Sequence, residues 1–466
     1  MRPLGAASWW TPHGSKRASA RASAVALAAT LALILAACGA SPASPSGQAS
    51  DAPSTSTPGP SARVGEVIPA PGSDSRIYGP HPGAIVVAID PGHGGCLDWG
   101  VPNPYDNTVA RSEKTLVLDI SLALRELLEA EGVTVVMTRD TDVALAGDLY
   151  PDLGCHGDPF RDVNGDGYAG FGSLFPEGTR TRDELSAHID LVNLARADVL
   201  ISVHVNSLTD DGEVLEIAAT QTFWTDETTW GVPVSERLAQ LVQDRVVTAM
   251  RGVAPYDRQD RGIDAVNYYI IAPPTETGDP REPRRGILMP GVLAEVASMS
   301  LEAESDLLTT QAAQRTIAVA LVDAIEAWFA ERPIGVRFDL LAPGGAAGVA
   351  PAIEPGDGPM FWAVEVSDLD RVAIRLTNTG TQAWPSGAEI VAGWARSSDP
   401  YLARPPRLSP LDVEVPALAP GESVDLELAL PDPPAGDRSV AWITLRIDDD
   451  IFSDLGSPAL QIATGT

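Results

Sequence analysis

Lysine is nearly absent from this 466-residue chain: Lys16 and Lys114 are the only two, and arginine carries the rest of the positive charge. Positive charge of either kind is scarce. Thirty-two Lys and Arg face 63 Asp and Glu, for a net charge of −31. Such a balance gives no electrostatic footprint for DNA or RNA and excludes nucleic acid as a partner on charge grounds. An acidic surface is also the ordinary consequence of solubility, so no partner is read from it. Cysteine is rare, with Cys38, Cys96 and Cys155 as the full set, which excludes a disulfide-dense scaffold. The one long apolar run, Ala24–Ala37, is too short for a spanning helix and is followed at once by polar sequence.

That run has the order of a secretory signal: Arg2, Lys16, Arg17 and Arg21 precede it, with no acids. It ends in Leu35-Ala36-Ala37-Cys38, which resembles a bacterial lipobox and implies cleavage before Cys38 and a lipid anchor on its sulfur. A secreted form without the lipid is the alternative. Without residues 1–37 and their four basic side chains, 28 basic groups face 63 acidic ones, a net charge near −35. Residues 38–80 are rich in Ser, Pro, Ala and Gly and read as a flexible tether.

The most informative stretch is Ile85-Val86-Val87-Ala88-Ile89-Asp90-Pro91-Gly92-His93-Gly94-Gly95. It predicts a buried parallel strand whose carboxyl end opens into a glycine turn carrying one histidine. Open α/β sheets place ligands at that edge. Ser112 and Glu113 open a helical pattern with Leu116, Ile120, Ala123, Leu124, Leu127 and Leu128 on one face. Taken alone, Ser112 reads as an N-cap and Glu113 as a carboxylate suited to the helix dipole. Asp198–Val205 is a second buried strand with His204 at its far end, which alone reads as a core histidine. Gly291–Ala297 buries Glu295 in an apolar run, where an isolated carboxylate is costly unless paired, hydrogen-bonded or near a metal. Together, two histidines and two glutamates at strand ends or a helix start have the makings of a catalytic zinc site, with three ligands and a carboxylate to move a proton.

These segments resemble the zinc-dependent N-acetylmuramoyl-L-alanine amidases of the Amidase_3 type, which cut peptidoglycan. The resemblance spans about 84–329. It rests on Asp-Pro-Gly-His-Gly-Gly (90–95), Glu113-Lys114, Val135–Asp140, Ser202–Asn206, Asp260-Arg261-Gly262-Ile263 and Val292–Val296. It implies zinc on His93, Glu113 and His204, and Glu295 as the catalytic acid/base. The chain departs from the family in two places: His188 stands where an arginine is usual ahead of Asn193, and 297–300 lacks the usual Gly-Phe before its serine. His188 reads as a helix-surface or packing residue rather than a further ligand. Asp90 is expected to orient His93. The alternatives are a zinc peptidase on stem peptides, or a metal-free cell-wall-binding lipoprotein. Either enzyme would work extracytoplasmically, anchored to the membrane at Cys38 and facing the cell wall.

The expected catalytic domain, 81–333, is α/β: a mostly parallel sheet with helices on both faces. Strands are expected near 84–90, 133–138, 199–205, 216–224, 267–271 and 291–296, and helices near 113–131, 184–197, 234–251 and 312–330. Residues 143–182 form an insertion. A Cys96–Cys155 disulfide would pin it beside the His93 turn, against the alternative of two free buried thiols. Within it, Asp162, Asn164 and Asp166 match the front half of a calcium loop, but Ser173 stands where the closing glutamate belongs, so Ca2+ competes with a plain turn. From 336 to 466, period-two runs such as Val372-Ile374-Leu376 and Ala441-Ile443-Leu445-Ile447 predict an all-β sandwich. It resembles bacterial four-tryptophan Ig-like domains through Trp362, Trp384, Trp394 and Trp442, read as core rather than ligand platform. Its partner is not legible.

Overall fold

The computed structural model describes residues 85–163, 169, 179–226, 232–272, 286–341, 364–366, 368–396, 407–434 and 439–464. These residues fall in one compact unit. No helix among them is long and apolar enough to cross a membrane. Cys38, Asn164, Asp166, Ser173 and Trp362 lie outside the described residues.

The first strand, β1 (Val86–Pro91), is buried throughout. It leads by a long loop to α1 (Glu113–Ala130) and then to β2 (Thr134–Met137). A two-residue-strand hairpin follows, β3 (Leu149–Tyr150) with β4 (Cys155–His156), and then α2 (Thr179–Leu194) and β5 (Val199–Asn206). A second small hairpin, β6 (Thr209–Asp210) with β7 (Glu213–Val214), precedes β8 (Ala218–Trp224). The unit continues through α3 (Val232–Val253), β9 (Arg258–Ala265), β10 (Gly291–Ser298), α4 (Glu302–Leu308) and α5 (Gln311–Ala330).

The main sheet runs β2-β1-β5-β10-β8-β9. β2, β1, β5 and β10 are mutually parallel, β8 is antiparallel to β10, and β9 is parallel to β8. Strand side chains alternate between faces, and both faces are apolar. Val87, Ile89, Ile201, Val203 and Val292 pack with α1, α3 and α5; Val86, Ala88, Leu200 and Leu293 pack with α2 on the other side. The α1 face predicted from helical spacing is the buried one.

One predicted strand is wrong. Residues 267–271 are not a strand; their Ile270 and Ile271 fold back over the second face of the sheet. The edge strand is β9, which is largely exposed and carries few apolar side chains, so it leaves no hydrophobic pattern.

The C-terminal region is all β. β11 (Val336–Leu340), β12 (Val364–Val366), β13 (Val372–Asn378), β14 (Glu389–Arg396), β15 (Ser409–Pro410), β16 (Ser423–Leu428), β17 (Ser439–Ile447), β18 (Asp450–Ile451) and β19 (Leu460–Thr464) form two sheets. One runs β11-β13-β16; the other runs β12-β19-β17-β14-β15, with β18 on β17. Phe338, Ile374 and Leu376 of the first meet Ile390, Ile443 and Ile462 of the second in one core. Ala441, Ile443 and Leu445 of β17 point into that core, as their alternation predicts. The opposite face of β17 is not solvated: Val440 and Trp442 join Ile271, Leu288 and Met289 in the core of the α/β part. Trp384 is core as expected, whereas Trp442 seals the junction between the two parts. Arg332 reinforces it by donating to Ser457 Oγ (2.9 Å) while lying over the Trp328 ring.

Candidate metal centre

The turn after β1 is held open by its neighbours. Gly92 N–H donates to Val203 O (3.0 Å), tying the turn to β5. The Gly92 backbone lies directly against the His204 ring, so a Cβ there would sit 2.3 Å from His204 Cε1. His93 itself has φ +63°, a left-handed conformation that a side-chain-bearing residue adopts at a cost, as is common at functional sites. Buried Arg139 donates to Pro91 O (3.0 Å), Gly92 O (2.9 Å) and Lys114 O (2.8 Å), stitching the turn to the start of α1. Lys114 Nζ completes the stitch by donating to Gly95 O (2.6 Å) and Asp142 Oδ2 (2.7 Å). Lys114, one of only two lysines in the chain, is therefore a buried anchor.

Glu113 enters from the first turn of α1. Its Oε2 lies 3.1 Å from His93 Nε2 and accepts from Val101 N–H (2.7 Å). Its Oε1 lies 3.1 Å from His204 Nδ1 and accepts from Val205 N–H (3.1 Å). The two rings meet edge-on with centroids 4.9 Å apart. One donor atom from each of His93, Glu113 and His204 lies within 4.8 Å of the others. Ser112 stands at the N-cap position, but its hydroxyl donates back to Val109 O (2.7 Å) and does not cap the helix, correcting that expectation.

Glu295 on β10 is paired in register with His204 on β5. Its Oε2 is buried with no hydrogen-bond partner. Burial and the Glu113 charge push its carboxyl well above the usual range, against a smaller opposing effect of His93. Burial alone would raise Glu113 as well, but His93 and His204 outweigh it and hold that carboxylate well below its ordinary range. Burial would lower His93, yet Glu113 and Asp98 together hold the imidazole well above its ordinary value.

Asp90 does not orient His93. Its carboxylate is taken up by His188 Nδ1 (2.6 Å), Thr138 Oγ1 (2.7 Å) and Ser202 Oγ (2.6 Å). The residue that holds His93 is Asp98, whose Oδ1 lies 2.9 Å from His93 Nδ1. The sequence reading missed it; its only signal is a carboxylate five residues on in the same loop. His188 is a packing residue, the second of the two expected places for it, and from its buried position it joins Asp90 to Glu184 (3.1 Å). Glu184 in turn accepts from Leu145 and Ala146 N–H (2.7 and 2.6 Å), securing the insertion. Cys96 and Cys155 are joined in a disulfide, and Asp148 Oδ2 accepts from Cys96 N–H (2.8 Å). His156 is exposed and takes no part in the cluster.

The family model described as N-acetylmuramoyl-L-alanine amidase matches residues 87–327, just over half of the chain, and contains all four residues. The chain belongs to the Amidase_3 family. Among curated relatives of this amidase, the germination-specific N-acetylmuramoyl-L-alanine amidase of Bacillus subtilis is 22% identical over 254 residues, 53% of this chain and 81% of that one. Among solved structures, the CwlD amidase of Clostridioides difficile in complex with the GerS lipoprotein is 22% identical, with 52% of this chain and 98% of that one covered and a TM-score of 0.37. Ami1 from Mycobacterium smegmatis is 18% identical, covering 52% and 96%, with a TM-score of 0.32.

The donor set fits zinc: two imidazoles and one ionised carboxylate converge, backbone N–H groups orient the carboxylate, and an unbonded carboxyl oxygen stands beside them. Asp98 on the far nitrogen of His93 is the kind of outer partner that fixes a ligating ring.

Proposed function

We propose that this amidase is a zinc-dependent cell-wall hydrolase that cuts the amide between the lactyl group of N-acetylmuramic acid and L-alanine in peptidoglycan. The observation that carries the reading is Glu295 Oε2, buried without a partner one strand from a His/Glu/His donor set. His93, Glu113 and His204 would hold zinc, with Asp98 orienting His93. When bound, zinc supplies a Lewis acid for the scissile carbonyl and lowers the pKa of water. Glu295 accepts the proton of the attacking water and delivers it to the departing L-alanine amine. Burial raises its carboxyl, the direction that favours uptake of a proton from water.

The same reading places the enzyme outside the cytoplasmic membrane: 1–37 as signal, lipidated Cys38 as anchor, 38–80 as tether, 81–333 as catalytic domain and 336–466 as an Ig-like domain. The tether's root-mean-square reach, on the order of 35 Å, suits a membrane-anchored enzyme whose substrate is the wall. The test is a pair of variants. Glu295→Ala retains zinc and loses turnover, whereas His204→Ala loses zinc. Unchanged turnover in Glu295→Ala, or full zinc occupancy in His204→Ala, would overturn these assignments.

A further inference from the structure

Arg261, within the Asp260–Ile263 segment, has no part in the metal centre, yet the register of the sheet places it in the row of Glu295, two strands away. β8 and β9 pair Thr220 with Asp260 and Thr222 with Ile263, so Arg261 and Gly262 together face the single residue Gln221. This is a β-bulge, and Gly262 takes the left-handed conformation it needs, with φ +71°. Bulges of this kind re-aim a side chain. Gln221 is in turn paired with Glu295, and Glu295 with His204. His204, Glu295, Gln221 and Arg261 therefore form one row across four adjacent strands.

Arg261 Nε donates to Gln221 Oε1 (3.0 Å), which draws the guanidinium back toward Glu295. The side chain is exposed and has no carboxylate partner among the described residues. Its neighbours at this end of the sheet are committed: Arg139 to backbone carbonyls, Arg258 to Glu304, and Arg111 to Asp306. A guanidinium left open in a chain of net charge −31 is a ready site for a carboxylate.

We propose that Arg261 binds a carboxylate of the departing stem peptide and so selects acidic peptides. This rests on the amidase reading above. Glu295 protonates the L-alanine nitrogen, and the next stem residue, a glutamate, carries a free α-carboxylate. An extended residue spans about 3.5 Å, so that carboxylate lies roughly 5–7 Å from the nitrogen. Glu295 and Arg261 stand two strands apart, roughly 10 Å at the backbone, and the contact with Gln221 on the strand between them turns the guanidinium back across that gap.

The test compares two soluble disaccharide–peptides, one with the free α-carboxylate on its second residue and one with that group amidated, on full-length wild type, Arg261→Gln and Arg261→Lys. Wild type favours the carboxylate substrate by about 10- to 100-fold in kcat/KM, the range of one charged hydrogen-bonded contact. Arg261→Gln brings the two substrates to within about twofold, losing mainly in KM, and Arg261→Lys recovers part of the preference. Equal cleavage of both by wild type, or an equal loss on both in Arg261→Gln, overturns the role of Arg261 while leaving the amidase reading intact. Cleavage of neither substrate by zinc-loaded wild type overturns both.

Discussion

His188 Nδ1 lies 2.6 Å from Asp90 Oδ1, and both side chains are buried. The pair sits behind the turn that carries His93 and connects the end of β1 to the insertion through Glu184. Burial alone would lower the His188 pKa, but the charge and hydrogen bond of Asp90, aided by Glu184, carry it up to about 9. The same partnership holds Asp90 well below its ordinary range despite burial.

The pair makes stability depend on pH in a defined sense. The folded-state pKa of His188 is raised above the value near 6.5 expected when unfolded, so its contribution is complete below that value and is lost as pH rises through about 9. A shift of that size corresponds to roughly 3 kcal/mol. Denaturant unfolding of wild type and His188→Gln across pH 6–10 should show wild type losing its advantage in that interval. Parallel profiles would contradict the ion pair.

Lys114 should resist even conservative exchange. Its buried ammonium serves Gly95 O and Asp142 from a compact head, and the planar fork of arginine cannot take that place. Lys114→Arg and Lys114→Met are both expected to lower stability by about 1–3 kcal/mol, read from denaturant midpoints. An Arg variant as stable as wild type would show that the site is indifferent to the head group.

Gly92→Ala tests the packing behind His204. The added methyl would sit 2.3 Å from the ring, so the ring must shift from its place in the donor set. Zinc content of the purified variant is expected to fall while far-UV circular dichroism stays native. Full zinc occupancy would mean that the ring can shift without leaving the donor set.

Much of this was readable before any coordinates. β1, α1, β5 and β10 are strongly patterned because each is buried along one face or both, and the four chemical residues lie on them or just beyond their ends. What escaped reading has little hydrophobic pattern of its own. Asp98 sits in a loop whose path depends on the Cys96–Cys155 bridge and the Asp148 contact. The Asp90–His188 pair joins residues 98 apart in sequence, so no local pattern links them. β9 is a polar edge strand, and the alternation of β17 names one buried face but not Trp442 on the other.

The most direct measurement is mass-spectrometric identification of the ends released when the full chain is incubated with purified peptidoglycan, with zinc and with a chelator. The predicted result is new peptides with free L-alanine amino termini and intact N-acetylmuramic acid on the glycan, formed with zinc and not with chelator. Cleavage within the stem peptide, or no cleavage by the zinc-loaded chain, would contradict the assignment.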